Sequence, residues 1–198
     1  MPRGRPRQFD VEQALDRALK VFWRKGYEGT TLPDLTRAMG INRPSLYAAF
    51  GSKEELFGRA LDRYAEGPAV YFRRALDEPT ARAVAERLLT ETIDAVADGR
   101  NPRGCLLVQG ALACGEGAES VRRELAARRR EGTMALRRRF QRAAAESDLP
   151  PTTRPADLAR YIMAVMHGMA VQAAGGASRT QLRRVAALAL CGWPDGTL

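Results

Sequence analysis

The sequence predicts an all-α protein, and three observations predict it. Apolar residues recur at the i, i+3, i+4, i+7 spacing of one helix face in segment after segment, helix-starting and helix-stopping residues fall at the ends of those segments, and no alternating β-branched run is long enough for a strand. The chain has 198 residues, enough for one large domain or two small ones with a buried core. Val11, Ala14, Leu15, Ala18, Leu19 and Phe22 form the first stripe, behind Asp10 and Gln13 at capping-box spacing, and Gly26 stops it. Thr31 opens a short second helix with Leu32, Leu35 and Met39 on one face, ended by Gly40. Asn42 caps a third, with Pro44 in its first turn and Leu46 and Phe50 inward. Gly51 breaks the chain, and the box Ser52–Glu55 leads into Phe57, Ala60, Leu61 and Tyr64.

Gly67-Pro68 and Asp77-Glu-Pro79 then punctuate the sequence, which divides it into an N-terminal unit, residues 1–64, and a larger C-terminal unit, residues 65–198. In the second unit Val84, Leu88, Leu89, Thr92, Ile93 and Val96 mark a helix ended by Gly99. Cys105 to Ala113, apolar nearly all round, reads as a buried helix. The Arg-rich stretch from Glu119 to Ala145 is a long helix closed by Asp148-Leu-Pro-Pro151, with Leu125, Met134, Leu136 and Phe140 packing; its nine arginines could mark a second nucleic-acid site, but their spacing runs around the helix and favours a solvated face. Leu158–Met169 and Leu182–Ala189 carry wide apolar stripes around Gly175-Gly176 and form an αα-hairpin, a natural dimerisation surface.

Composition narrows the function. Lys and Arg number 32 against 23 Asp and Glu, a net charge of +9, which suggests a polyanionic partner, nucleic acid first and a membrane surface second. Cys105, Cys114 and Cys191 include no C-x-x-C pair, so neither a disulfide framework nor a zinc knuckle is indicated and a reducing cytoplasm suits them. Met1–Gln8 has charge without an apolar h-region, and the greasy stretch Tyr161–Val171 is broken by His167 and Gly168, so neither export nor a membrane span is expected. A single His excludes a two-His zinc-protease site, Gly110–Gly117 lacks the Lys-Ser/Thr end of a phosphate loop, and His167 has no nucleophile elbow to serve. No catalytic site, metal or cofactor is indicated.

Two short helices joined by Gly40-Ile41-Asn42 make a helix-turn-helix. The glycine supplies the turn conformation and Ile41 pins the turn to the core. The second helix is then free to lie in a DNA groove. Its outward positions combine Arg43, a fork suited to guanine, with Pro44, Ser45, Ala48 and Ala49, which allow close approach, and Tyr47, which reaches phosphate. Lys53 and Thr31, at the starts of the fourth and second helices, sit where backbone phosphates are expected. Arg3, Arg5 and Arg7 alternate with Pro2, Gly4 and Pro6 in an extended arm that suits a narrow minor groove, or is a tail with solvated charges. Basicity is not concentrated in the reader, since residues 1–64 carry +4 and residues 65–198 carry +5.

The residues Phe9-Asp10, Ala14-Leu15, Phe22, Gly26 to Thr31, Leu35, Met39 to Ile41, Leu46-Tyr47, Phe50, Ser52-Lys53 and Leu56-Phe57 resemble the DNA-binding domain of TetR-type transcriptional regulators. The resemblance covers about the first third of the chain. It implies a two-domain all-α homodimer, usually a repressor, whose N-terminal three-helix helix-turn-helix domain binds an operator and whose C-terminal helical domain binds a small molecule and dimerises. One departure matters: Ala49 stands where many relatives have His, which removes one backbone or base contact from the expectation. Asn101 to Leu107 resembles a subgroup whose sixth helix begins in this way, without pointing to an inducer.

In the C-terminal unit an apolar interior with few polar groups, Thr92, Gln109, Tyr161 and His167, suits a hydrophobic effector, aromatic or acyl, of modest size. Met163, Met166 and Met169 line that pocket or fill core, and His167 is a ligand contact or a packed histidine. The competing function is an architectural, nucleoid-like DNA binder without a ligand. A C-terminal pocket of several hundred Å³ argues against it, and salt-sensitive binding without sequence preference argues for it.

Overall fold

The computed structural model describes residues 9–112 and 118–194, and within them the chain forms ten helices and no strand. The N-terminal helices are α1 (Val11–Lys25), α2 (Leu32–Met39), α3 (Arg43–Phe50) and α4 (Lys53–Glu66). Then come α5 (Tyr71–Ala75), α6 (Ala81–Ala97), α7 (Leu106–Leu112), α8 (Glu119–Ala145), α9 (Pro155–Ala174) and α10 (Arg179–Cys191). The starts follow local chemistry: Asp10, Thr31, Asn42, Ser52, Thr80 and Ser178 each accept a first-turn backbone N–H. Asp10 takes the N–H groups of Glu12 and Gln13, but the Gln13 amide donates to the Asp10 carboxylate and not to the backbone, so the cap is not a reciprocal box. The boxes at Thr31 and Ser52 are reciprocal.

Two apolar clusters organise the molecule. One is built from α1–α4, including Phe22, Trp23, Leu35, Leu46 and Phe57, and it takes in Leu106 of α7 and Val121 and Leu125 of α8. The other holds Leu88, Leu89, Phe140, Ile162, Met169 and Trp193. The reader is therefore seated directly on the helices that follow it. Arg103 ties the connection to the late hairpin by donating to Ala173 O at 2.8 Å and to Ala177 O, at the carbonyl end of α9.

Several expectations need correction. Helix α5 falls between Gly67-Pro68 and Asp77-Glu-Pro79, where only turns were expected; it has five residues and no capping side chain, too few for any periodicity. Because of it, the helix that follows Asn101–Cys105 is the seventh. Met134 is 53% exposed and does not pack. Arg139 leaves the solvated face of α8: it is buried and donates to the carbonyls of Leu76, Glu78 and Pro79 at 3.2, 2.8 and 3.0 Å, closing the α5–α6 turn. Arg122, Arg123, Arg130, Arg137, Arg138 and Arg142 are exposed, as a solvated face requires. On the late hairpin Tyr161, Val171 and Leu188 are 45%, 47% and 72% exposed, leaving an apolar face without a partner among the described residues. Among those residues no helix is long and apolar enough to cross a membrane.

Candidate nucleic-acid interface and effector cavity

The turn between α2 and α3 rests on Gly40, which is left-handed at φ 72°. A Cβ there would meet nothing closer than Arg17 Nη1 at 3.5 Å, so the backbone angle and not crowding is what glycine serves. With Leu46 and Phe50 buried, α3 turns Arg43, Pro44, Tyr47 and Ala48 outward, with Ser45 half-buried beside them. Arg43 makes no ion pair or hydrogen bond among the described residues, so its fork is free for an external acceptor. Thr31 is committed to its cap: its hydroxyl and its N–H both donate to Asp34 Oδ2, at 2.9 and 3.0 Å. Lys25, 2.8 Å from that carboxylate, and the Thr31 donors hold Asp34 well below the usual carboxylate range. Lys53 lies with its ammonium 4.3 Å from the Tyr27 ring centroid; burial lowers its pKa and Glu28 opposes that shift. Arg3, Arg5 and Arg7 lie outside the described residues.

Sequence reasoning missed two clamps on these helices. Arg59 of α4 donates to Ala49 O at 2.9 Å, at the carbonyl end of α3, with its guanidinium 4.8 Å from the Phe50 ring centroid. Arg17 of α1 reaches Met39 O at 3.5 Å, at the end of α2. Only the position of basic residues on α1 and α4 could have hinted at them, and nothing local names their acceptors. Arg59→Ala is expected to weaken operator binding by about 1 kcal/mol without removing a DNA contact. Band-shift titration measures this, and unchanged affinity would mean that α3 holds its place without the clamp.

Behind the reader lies a cavity of about 440 Å³ walled by α4, α5, α6, α8 and α9 with Cys105 and Leu107 at the start of α7. Of the residues expected around a pocket, Thr92, Met163, Met166 and His167 line it. Tyr161 and Gln109 do not. Tyr161 is two residues from Met163, so it emerges on nearly the opposite side of α9, where its hydroxyl donates to Ala189 O at 3.3 Å. Gln109 folds back beside Gly104, with Oε1 buried and without a partner among the described residues. The wall also includes Tyr64, Tyr71, Phe72, Cys105, Arg128 and Arg129. Tyr64 is visible in sequence as part of the α4 stripe; Tyr71 and Phe72, on an unpredicted helix, carry no signal.

The cavity is wired to the reader. Tyr64 donates to Cys105 Sγ at 3.3 Å and stacks edge-on with Trp23, ring centroids 4.8 Å apart, while Trp23 Nε1–H donates to Gly104 O at 3.2 Å. Arg128 of α8 pairs with Asp62 of α4 at 2.7 Å. Burial, and then the charge that Cys105 would carry as a thiolate, push the Tyr64 phenol upward; burial does the same at Tyr71, so both stay protonated. Cys114 lies outside the described residues.

His167 in the wall has its pKa lowered, by burial first and by the Arg129 charge second. A histidine held neutral in the fold takes up its proton more readily when unfolded, so stability is full above the ordinary value of about 6.5 and is lost as pH falls through it. The thermal midpoint is therefore expected to drop between neutral pH and pH ~5.5 by more in the natural protein than in His167→Gln. Equal drops would remove the histidine from the acid sensitivity.

Fold and site together define a helix-turn-helix DNA-binding regulator with a cavity-bearing helical domain. Residues 14–60 match the family described as bacterial regulatory proteins, tetR family, and residues 83–189 match the tetracyclin repressor-like C-terminal domain. The chain belongs to the TetR family of transcriptional regulators. It is 31% identical to the HTH-type transcriptional repressor ComR of Escherichia coli K12 over 98% of this chain and 93% of that one. It is 32% identical to the repressor BdcR of the same organism over 94% and 90%. Among solved structures, a cysteine-substituted form of the TetR family regulator CifR, complexed with a 26-base-pair operator duplex, superposes with a TM-score of 0.93 at 44% identity, covering 96% of this chain and all of the other.

Proposed function

We propose that this chain is a cytoplasmic, homodimeric repressor that leaves its operator when a small, mainly apolar molecule fills the cavity behind α4. Residues 1–64 serve as reader and residues 65–198 as sensor and dimerisation unit. Arg43 reads a base edge; Pro44 and Ser45 allow close approach; Tyr47, Lys53 and the α2 start at Thr31 meet phosphates; Arg3, Arg5 and Arg7 follow the minor groove. The observation that carries the reading is that one wall of the cavity is α4 itself, whose Arg59 holds the end of α3. A molecule seated there pushes on the element that aims the reader, and it releases DNA by binding better to the conformation whose two readers are wrongly spaced. ComR and BdcR, both named repressors, and operator-bound CifR support the direction of control. The exposed face at Tyr161, Val171 and Leu188 supports pairing of α9 and α10 with their symmetry mates.

The architectural alternative is disfavoured by the cavity, whose size falls in the range of small-molecule sites and which a passive DNA binder does not need. Selection from a random duplex pool tests the choice. A palindrome with half-sites about one helical turn apart, or a multiple, supports the repressor. Salt-sensitive binding without a preferred sequence, or a monomer by sedimentation at micromolar concentration, overturns it.

A further inference from the structure

The hydrogen-bond inventory of the cavity wall restricts what can occupy it. Thr92 has one hydroxyl proton, and it goes to Leu88 O at 2.7 Å. The contact between the Tyr71 and Thr92 hydroxyls, at 3.2 Å, must therefore be donated by Tyr71. With its proton spent, the Tyr71 oxygen can only accept, and among the described residues no group donates to it. His167, also in the wall, is neutral and has no hydrogen-bond partner among the described residues, so its ring offers one N–H and one bare nitrogen. Apart from the charged side chains of the wall, two acceptors and one donor are thus open, beside an apolar surface that includes Phe72, Leu76, Val96, Met163, Met166 and Ala170.

Charge does not favour an ion. The wall holds three guanidinium groups, Arg73, Arg128 and Arg129, and three carboxylates, Asp62, Glu66 and Glu131. Arg128 is paired with Asp62 and Glu124, Arg129 donates to Leu107 O at 2.6 Å, and Glu66, Arg73 and Glu131 are exposed, so that their charges are screened by water. A carboxylate ligand would face the lone pairs of Tyr71 and would give up its hydration for no net field. An ammonium would face the arginines. A hydroxyl donates to Tyr71 or the bare imidazole nitrogen and accepts from the imidazole N–H, which matches the open groups.

We propose that the cavity takes an uncharged, mainly apolar molecule that carries a hydroxyl group as its hydrogen-bonding head. This rests on the regulator reading above and names the class of its effector.

The test uses three probes with one body, phenethyl alcohol, phenylacetate and phenethylammonium, titrated calorimetrically into the full-length, DNA-free protein near neutral pH. The alcohol should bind about tenfold or more tightly than either ion, and Tyr71→Phe should remove about three- to tenfold of the alcohol's affinity. Thr92→Val has the same shape but frees the Tyr71 proton, turning Tyr71 into a donor. It should shift the affinity ratio of phenylacetone to phenethyl alcohol toward the ketone by about threefold or more. Either ion binding as well as the alcohol, none of the three binding at millimolar concentration, or an unmoved ketone-to-alcohol ratio in a folded Thr92→Val protein overturns the proposal. Operator capture by the ligand-free protein is measured on the same preparation. Loss of sequence-specific capture with alcohol binding intact overturns the regulator reading alone, and intact capture with the wrong probe order overturns the ligand class alone.

Discussion

Trp23→Ala should cost about 3–5 kcal/mol of folding stability, the usual range for removing a fully buried large aromatic side chain. Trp23 is 1% exposed, on the inner face of α1, and its ring packs edge-on against Tyr64 of α4. Its indole N–H is also the donor for Gly104 O across 81 residues of sequence. Truncation therefore opens a cavity in the reader core and leaves a buried carbonyl without its partner, and the two losses act at the same place. Because that core includes Leu106, Val121 and Leu125 of the following helices, the reader should not melt alone while the rest stays unchanged. Urea unfolding at fixed protein concentration measures the loss, since a dimer's apparent stability depends on concentration. Trp23→Phe separates the terms: it keeps most of the packing and drops the hydrogen bond, for about 1–2 kcal/mol. A Trp23→Ala protein within 1 kcal/mol of the natural one would mean that the seam between reader and sensor is not held at this residue.

That seam marks where sequence stops being informative. Caps at Asp10, Thr31, Asn42 and Ser52 and the left-handed Gly40 are decided within three or four residues, and the helices they delimit are correspondingly legible. The reading helix is legible for the same reason: with Leu46 and Phe50 inward, helical geometry sends Arg43 and Tyr47 outward. The cavity is assembled from six helices and is not legible in this way. Thr92, Met163, Met166 and His167 can be guessed from polar or soft residues on apolar stripes, but the same logic selects Tyr161, which points toward α10, and Gln109, which folds beside Gly104. Arg139 shows the limit most plainly. On α8 it looks like eight other arginines, and only the arrival of three carbonyls from the α5–α6 turn makes it a buried structural residue.

Arg43→Ala should weaken operator binding by about 1–3 kcal/mol per half-site contact and flatten the base preference at a single position in each half-site. Arg43 is the first residue of α3, and in a helix-turn-helix the start of the second helix is the part that meets base edges. Asn42 caps that start by accepting Ser45 N–H at 2.9 Å, and Pro44 fixes the backbone next to it, so the guanidinium leaves the protein from a rigid base. No carboxylate among the described residues competes for it, in contrast to Lys25, Arg63, Arg87 and Arg128, which are all paired. A bidentate fork on guanine O6 and N7 is the contact that such a group makes best, and lysine cannot reproduce its geometry. Arg43→Lys should therefore recover affinity that depends on charge while leaving the base preference relaxed. Tyr47→Phe gives the contrasting pattern for a phosphate contact, an equal loss on every sequence. Measuring each variant against a panel of operators with one substitution at each position decides the assignment. If Arg43→Ala lowers affinity for all of them equally and leaves their order intact, Arg43 binds backbone, and the base reading of this protein must be sought farther along α3 or in the arm that carries Arg3, Arg5 and Arg7.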